Sequence, residues 1–248
     1  MGFLEDIVRL TRMRVEAESS KACAGDLRGE IIRANSDGRL GVIAEYKRMS
    51  PTGAVNLGVD PWSYFNSLRD RVVGFSVLTE PIFFAGNYLF VKIAAATGRP
   101  VLFKDFVVDR RQVDAAGELG ASAVLIIYKA LGPAERGDLV DYAGKKGLQV
   151  LLEVDNAADA LAAVDEFPNA LLGINSRNLD DLSVSLDGVV DAIRQVRGRA
   201  DLIIAESGVS GRGDAERLAS AGANAVLVGT ALMRNPSLAG ELGVRIHG

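Results

Sequence analysis

Residues 42–53 read VIAEYKRMSPTG, an apolar run that changes abruptly into a charged stretch. Because successive side chains of a strand point to opposite faces, Glu45 and Lys47 share one face of the strand that this run predicts. Charged side chains are unusual on an apolar strand, so this pair indicates a specific role. The stretch therefore predicts a buried strand whose carboxyl end carries chemistry.

The same order of apolar run, polar turn and helix-like segment recurs along the chain. Successive runs start 22 to 33 residues apart, the length of a strand, a crossover helix and two loops. This pattern predicts an α/β fold, a (β/α)8 TIM barrel. A doubly wound sheet would use the same alternation, but no Gly-x-Gly-x-x-Gly follows the first run. The eight runs begin at Leu40, Val73, Pro100, Ala123, Gln149, Leu171, Asp201 and Ala225.

The segment before the first run predicts a helix. Residues 3–19, FLEDIVRLTRMRVEAES, are amphipathic with helical periodicity. We expect one extra helix here, packed over the barrel. The predicted organisation is a single domain over residues 1–248, with a helical extension over 1–39 and the barrel over 40–248.

Two βα turns carry signals for helix boundaries. Asp60 followed by Pro61 predicts an N-cap and a first-turn proline. Asp109 predicts the start of a second helix, and Gly120 predicts its end. These signals place helices between the predicted strands.

Composition argues against several functions. The net charge of −4 offers nucleic acid no bulk attraction. Cys23 is the only cysteine and His247, next to the last residue, is the only histidine. The sequence therefore argues against an internal disulfide, a Cys/His zinc site, and a Ser/His or Cys/His catalytic pair. The longest charge-free run, residues 218–233, has 16 residues, fewer than the ~20 of a membrane span. We expect a cytoplasmic monomer that binds a small molecule.

Polar side chains gather where the predicted strands end, which is where barrels place their active sites. Two of the scarce lysines lie inside apolar runs, although arginine is the usual cation of this chain. Lysine, unlike arginine, can exchange a proton when burial lowers its pKa, which suits acid–base chemistry. A structural ion pair would account for any one of these residues alone, and for Lys129 a structural and a functional role both stay open. The candidates are Glu45, Lys47, Lys104, Glu153, Asn175 and Arg177.

The turns after the seventh and eighth runs contain glycine beside serine or threonine. Barrels often bind phosphate at this place through backbone N–H groups, and glycine lets the backbone approach the anion. The turns therefore predict a phosphorylated substrate. The predicted phosphate contacts are Ser50, Ser207, Gly208, Gly229 and Thr230, with Lys47 beside them.

Large apolar side chains lie in or next to the same loops. Phe84, Phe106 and Leu179, if exposed at the barrel mouth, would form an apolar wall suited to an aromatic ring. Phe83 and Phe90 are expected in the core.

Seven segments together resemble the strand-end motifs of the indole-3-glycerol phosphate synthase family: IAEYKRMSPTG, VLTE, LFKDF, LLEV, GINSRNL, IAESGV and GTALM. They follow in order and span the chain. The resemblance implies a TIM barrel enzyme of tryptophan biosynthesis. Such an enzyme converts 1-(2-carboxyphenylamino)-1-deoxyribulose 5-phosphate into indole-3-glycerol phosphate, CO2 and water, without a metal or organic cofactor.

The resemblance also implies roles for the candidate residues. Lys104 corresponds to the general acid and Glu153 to the general base, with Asn175 and the pair of Glu45 and Lys47 beside them. The remaining candidates correspond to substrate contacts. These are Arg177, the phosphate contacts Ser50, Ser207, Gly208, Gly229 and Thr230, and the ring contacts Phe84, Phe106 and Leu179.

Two alternative functions stay open for a barrel with these residues. A different phosphate-binding barrel enzyme, such as phosphoribosylanthranilate isomerase or the tryptophan synthase α-subunit, would share the phosphate turns. It would not need two lysines and two glutamates on the first, third and fifth strands. The second alternative is a barrel that binds a phosphometabolite without catalysis, and the intact pair of Lys104 and Glu153 argues against it.

Overall fold

A computed structural model describes residues 3–19, 25–178 and 183–246. Eight parallel strands close into a barrel, and the first strand pairs with both the second and the last. The predicted fold class is therefore confirmed. Strands β1 to β8 are Gly41–Tyr46, Gly74–Leu78, Val101–Lys104, Ala123–Ile127, Gln149–Val154, Leu171–Asn175, Ile203–Glu206 and Ala225–Val228.

Helices follow the strands in alternation and cover the outside of the barrel. The predicted caps are confirmed, because Asp60 accepts a hydrogen bond from the Ser63 N–H at 2.9 Å and Asp109 accepts one from the Arg111 N–H at 2.8 Å. Gly120 ends its helix with a φ of +84°. The helices are α1 Phe3–Ser19, α2 Leu27–Ser36, α3 Pro61–Leu68, α4 Tyr88–Ala95, α5 Arg110–Glu118, α6 Pro133–Lys145, α7 Ala157–Glu166, α8 Leu186–Val196, α9 Arg212–Ala221, α10 Thr230–Arg234 and α11 Ala239–Leu242.

One short β-hairpin and two 3-10 turns complete the described fold. Met49–Ser50 pairs antiparallel with Gly53–Ala54 directly after β1. Tyr128–Ala130 and Pro236–Leu238 are single 3-10 turns.

Two apolar layers hold the barrel together. The larger layer lies between the strands and the surrounding helices, and it includes the outward side chains of Phe75 and Phe103. The smaller one fills the barrel interior with inward side chains such as Leu102, Leu125 and Leu151. The interior is thus a packed core that closes the barrel below its mouth.

The N-terminal extension contains two helices in the described residues, where the sequence predicted one. Helix α1 has the predicted bounds and contacts α4. Helix α2, which we did not predict, buries Leu27 and Ile31 within the interior core and so plugs the barrel at the amino ends of its strands. Gln149 at the start of β5 holds this helix, because its side chain donates to Asp26 at 2.6 Å and accepts from the Arg28 N–H at 3.1 Å.

Some sequence predictions concern residues outside the described ranges. These are the ring contact Leu179 and the single residues Cys23 and His247. No helix in the described ranges is both long and apolar enough to span a bilayer.

Candidate active site

Four charged side chains from four strands meet at the barrel mouth. Lys104, the last residue of β3, forms an ion pair with Glu206 of β7. Its Nζ also lies 3.3 Å from Glu153 Oε2 and 3.6 Å from Glu45 Oε2. All three carboxylates are buried, so Lys104 is their shared counter-ion. The sequence had predicted three of these four residues as neighbours.

The pKa of Lys104 differs from the sequence-based expectation. Burial alone would lower the pKa of this ammonium group, but Glu206, Glu153 and Glu45 raise it well above its usual value. The expectation of a lowered pKa is therefore wrong for this lysine, because the three carboxylates together outweigh desolvation. Lys104 is held protonated and can serve as an acid.

The carboxylates next to Lys104 differ in the direction of their pKa shifts. Burial raises the pKa of Glu206 to about 8, although Lys104 opposes this shift. Burial would likewise raise the pKa of Glu45, but Lys47 and Lys104 lower it below its usual value. Three carboxylates and two ammonium groups leave one surplus negative charge, so the cluster takes up a proton readily, and the raised pKa of Glu206 makes it the favoured acceptor.

Lys47 forms the second ion pair of the site. Its Nζ lies 2.7 Å from Glu45 Oε1, which confirms that these two residues share a face. Gly229, at the end of β8, leaves space for this pair, since a Cβ there would lie 2.5 Å from Glu45 Oε1 and 3.2 Å from Lys47 Nζ. A side chain at position 229 would therefore displace the ends of Glu45 and Lys47.

Asn175 and Arg177 extend the site along β6 and the loop after it. The Asn175 side-chain amide donates to Glu153 Oε1 at 3.2 Å, and its oxygen accepts the Arg177 N–H at 2.9 Å. Glu153 Oε2 is buried and accepts no hydrogen bond from the described residues, although Lys104 lies within ion-pair distance. One oxygen of Glu153 is therefore fixed, and the other can accept a proton.

Two adjoining cavities open above the charged residues. One has a volume of about 530 Å³, and the other, of about 540 Å³, lies over the turns after β7 and β8. Both are lined by Glu45, Lys47, Arg177, Ser207 and Thr230. The first is also lined by Ser50, Phe84, Lys104, Phe106, Glu153 and Asn175, and the second by Gly208 and Gly229. The structure thus brings together every candidate that it describes.

Ser207 has an unusual backbone conformation. Its φ is +64° and that of the following Gly208 is +74°. Non-glycine residues seldom adopt this left-handed region, and those that do are concentrated at functional sites. The turn after β7 therefore carries backbone strain where the second cavity lies.

The apolar wall predicted for an aromatic ring, called the aromatic wall below, has one more member than expected. Phe84 and Phe106 face each other with ring centroids 6.1 Å apart. Phe83, expected in the core, is instead 59% exposed and lines the first cavity, because the loop after β2 turns it outward. Phe90 packs against the outer core as expected.

Two carboxylates hold the loops that carry this wall. Glu80 accepts hydrogen bonds from the N–H groups of Ile82 at 2.9 Å, Phe83 at 2.6 Å and Phe84 at 3.2 Å. Asp105 accepts from the Phe106 N–H at 2.8 Å. Both acids thus fix the backbone of the phenylalanine loops, and Asp105 also lines the first cavity.

Lys129 has a structural role. Its Nζ lies 2.6 Å from Asp155 Oδ2, and the Asp155 side chain is 4% exposed. Neither residue lines the two cavities. Of the two roles that the sequence left open for Lys129, the structural one is therefore the one that the contacts support.

Sequence reasoning missed two residues of the site. Glu206 stood within the motif IAESGV, but we assigned only the serine and glycine after it. Arg234, at the end of α10, lines both cavities, and its side chain makes no hydrogen bond or ion pair within the described part of the chain. The signal for Glu206 was an acidic residue at the end of an apolar run. The position of Arg234 depends on the direction in which α10 runs from the end of β8.

The fold and the site define a (β/α)8-barrel enzyme with a lysine–glutamate centre at the carboxyl ends of its strands. The family model for indole-3-glycerol phosphate synthase matches residues 6–243. The chain belongs to the indole-3-glycerol phosphate synthase family.

Individual relatives agree with this assignment. The indole-3-glycerol phosphate synthase of Pyrobaculum neutrophilum is 43% identical over 242 residues, covering 98% of this chain and 96% of the relative. That of Exiguobacterium sibiricum is 35% identical over 246 residues, covering 96% and 95%. The similarity thus extends over nearly the full length of both relatives.

Solved structures with lower sequence identity share the fold. A tryptophan synthase chain from M. tuberculosis matches with a TM-score of 0.66 at 16% identity, covering 90% of this chain and all of that one. A 3-hexulose-6-phosphate synthase matches with a TM-score of 0.65 at 16% identity, covering 82% and 98%. These matches support the barrel architecture alone.

Proposed function

We propose that this chain is a carbon–carbon lyase of tryptophan biosynthesis. It closes the ring of 1-(2-carboxyphenylamino)-1-deoxyribulose 5-phosphate and releases CO2, water and indole-3-glycerol phosphate. The observation that carries this proposal is the buried contact of Lys104 with Glu206, close to Glu153 and Glu45, beneath the first cavity. A protonated lysine beside a carboxylate oxygen that accepts no hydrogen bond from the described residues supplies an acid and a base within one site.

The two cavities suggest how the substrate is oriented. The phosphate would lie over the turns after β7 and β8, and the anthranilate ring would lie against Phe84 and Phe106. The ketone between these two ends would then face Lys104. Arg177 or Lys47 would hold the substrate carboxylate by charge.

Lys104 would act first. Ring closure joins the carboxyl-bearing ring carbon to the ketone carbon, and the ketone oxygen must gain a proton as this bond forms. Lys104 is held protonated by its three carboxylates and can give that proton. Loss of CO2 from the same ring carbon then restores the aromatic ring.

Glu153 would act in the later loss of water. Formation of the indole double bond requires removal of one proton while the hydroxyl group leaves with another. Glu153 Oε2 accepts no hydrogen bond from the described residues and is open to that proton, while Asn175 keeps the carboxylate in place. Glu206 contacts Lys104, and its pKa is raised to about 8, so a proton passed between the two side chains can restore the acid form of Lys104.

The test of the proposed function compares two substrates. Purified protein is incubated separately with the carboxyphenylamino-deoxyribulose phosphate and with phosphoribosylanthranilate, and product formation is followed by fluorescence. We expect indole-3-glycerol phosphate from the first and no turnover of the second. Turnover of phosphoribosylanthranilate alone would assign an isomerase, and binding without turnover would assign a non-catalytic barrel.

The phosphate position predicts a strong effect of charge at Ser207. Ser207→Asp should raise KM at least about tenfold with little change in kcat, because a carboxylate repels the substrate dianion. Ser207→Asn is the matched neutral control, since asparagine also tolerates the positive φ of this position. Equal KM values for the two variants would place the phosphate elsewhere.

The aromatic wall predicts a specificity effect at Glu80. Glu80→Ala removes the acceptor of three loop N–H groups and should raise KM about tenfold while weakening discrimination against ring-substituted substrates. Glu118→Ala, on the exposed side of α5, is the control and should change neither value. Unchanged discrimination in Glu80→Ala would separate this loop from ring recognition.

The assembly state stays a prediction. We propose that residues 1–248 act as one domain and as a monomer in the cytoplasm. Light scattering after gel filtration measures the mass, and a single thermal transition supports one cooperative unit. A mass of twice 26.3 kDa would replace the monomer by a dimer.

A further inference from the structure

The Glu206 carboxylate occupies a gap in the barrel interior. Gly173, in the middle of β6, pairs with Ile204 of β7, and Asn175 pairs with Glu206 two residues further on. Leu151 and Ile204 fill the interior around this position with large side chains. Gly173 has no side chain to add, and the space above it holds Glu206 Oε1 instead.

A side chain at position 173 would displace the Glu206 carboxylate. A Cβ built on Gly173 would overlap Glu206 Oε1 and would lie 3.3 Å from Leu151 Cδ1. The leucine contact involves the end of a flexible side chain and can relax. The Glu206 carboxylate cannot move aside without breaking its contact with Lys104, because it is fully buried and bound to that lysine through its other oxygen.

We propose that Gly173 is a positioning residue that holds the Glu206 carboxylate against Lys104 by leaving space for it. This inference rests on the proposed function, in which Lys104 is the acid. Gly173 touches no substrate and acts only through Glu206. Alanine at position 173 would force Glu206 to rotate away and leave Lys104 with Glu153 and Glu45 alone.

A double-mutant cycle tests this arrangement. Gly173→Ala and Glu206→Ala should each lower kcat, and the double variant should be no slower than Glu206→Ala, because the overlap vanishes with the carboxylate. If the two losses multiply instead, Gly173 acts independently of Glu206 and the proposal is wrong.

The matched control is Gly74→Ala on β2. This glycine also lies in a strand against interior side chains, and a Cβ there would lie 2.8 Å from Leu27 Cδ1 and 3.0 Å from the Pro100 carbonyl oxygen. Leu27 and Pro100 do not belong to the charged cluster around Glu206, so any loss of kcat in Gly74→Ala should multiply with the loss in Glu206→Ala. Coupling of Gly74 to Glu206 as strong as that of Gly173 would show that the cycle reports general strain, which would overturn the assignment.

A second readout does not depend on activity. The pKa of Glu206 is raised by burial, with Glu153 and Glu45 acting in the same direction and Lys104 opposing them. Its contribution to stability is therefore complete at low pH and is lost as the pH rises through about 8.

Melting temperatures across the range from about pH 5 to about pH 9 measure this loss. The loss of stability with rising pH should be present in the unmodified protein and smaller in Gly173→Ala, because a displaced carboxylate is less buried. An unchanged pH dependence in a folded Gly173→Ala protein would contradict the proposal. If the parent protein showed no turnover, the proposed function would fail while this measurement still decided the role of Gly173.

Discussion

Lys104→Ala is expected to lower kcat by about 10²- to 10⁴-fold while binding of the product changes much less. The ammonium group gives a proton only as the new bond forms, so its loss raises the energy of the transition state more than that of the bound state. Rapid-kinetic turnover assays and product titration measure the two effects separately. A kcat within about threefold of the parent would contradict the role of Lys104.

Lys104→Arg is the control for charge. Arginine keeps a cation among the three carboxylates but does not release a proton in proteins. We expect this variant to retain more stability than Lys104→Ala and still lose turnover. Recovery of turnover by arginine would mean that positive charge, and not proton donation, is the contribution of Lys104.

Glu153→Gln is expected to lower kcat by about 10²- to 10⁴-fold while the protein stays folded and binds substrate. The amide keeps the size of the side chain and can still pair with Asn175, but it has lost its basicity. Measuring kcat and melting temperature on the same variant separates catalysis from structure. A lowered melting temperature with near-normal kcat would rule out Glu153 as the base.

Asp155→Asn provides the matched control for Glu153→Gln. Asp155 lies two residues further along the chain with a similarly buried side chain, but its partner is Lys129 and it lines neither cavity. Its substitution should lower stability and leave kcat near the parent value. The two variants together distinguish a buried acid that reacts from one that only pairs.

The sequence predicted the strands well because their signal is local. Each predicted run begins within two residues of an observed strand, since apolar runs bounded by turn residues define strands without reference to distant contacts. The site followed from the fold, because a closed barrel brings the ends of different strands together. Lys104 and Glu153 could therefore be predicted as neighbours from strands that lie far apart in the sequence.

The features that the sequence did not predict depend on contacts between distant segments. Helix α2 has only three buried residues, so its sequence gives little sign that it plugs the barrel. The pKa of Lys104 depends on three carboxylates from three other strands, whose combined field exceeds the cost of burial. The outward turn of Phe83 depends on the hydrogen bonds of Glu80 in the same loop.

The place of Glu206 is a further example. Its position at a strand end was visible in the sequence, but its contact with Lys104 requires the space over Gly173. A glycine inside an apolar strand is a weak signal in sequence alone, since it also marks bulges and close backbone approaches. Only the packed interior shows which side chain uses that space.

The most direct test of the proposed reaction is its stoichiometry in the presence of a metal chelator. Unmodified protein and Lys104→Ala are mixed with 1-(2-carboxyphenylamino)-1-deoxyribulose 5-phosphate, and CO2 and indole-3-glycerol phosphate are measured together. We expect equal amounts of the two products from the unmodified protein, no dependence on added metal, and almost none of either product from the variant. Substrate that binds to the folded, unmodified protein and is recovered unchanged would contradict the proposed reaction.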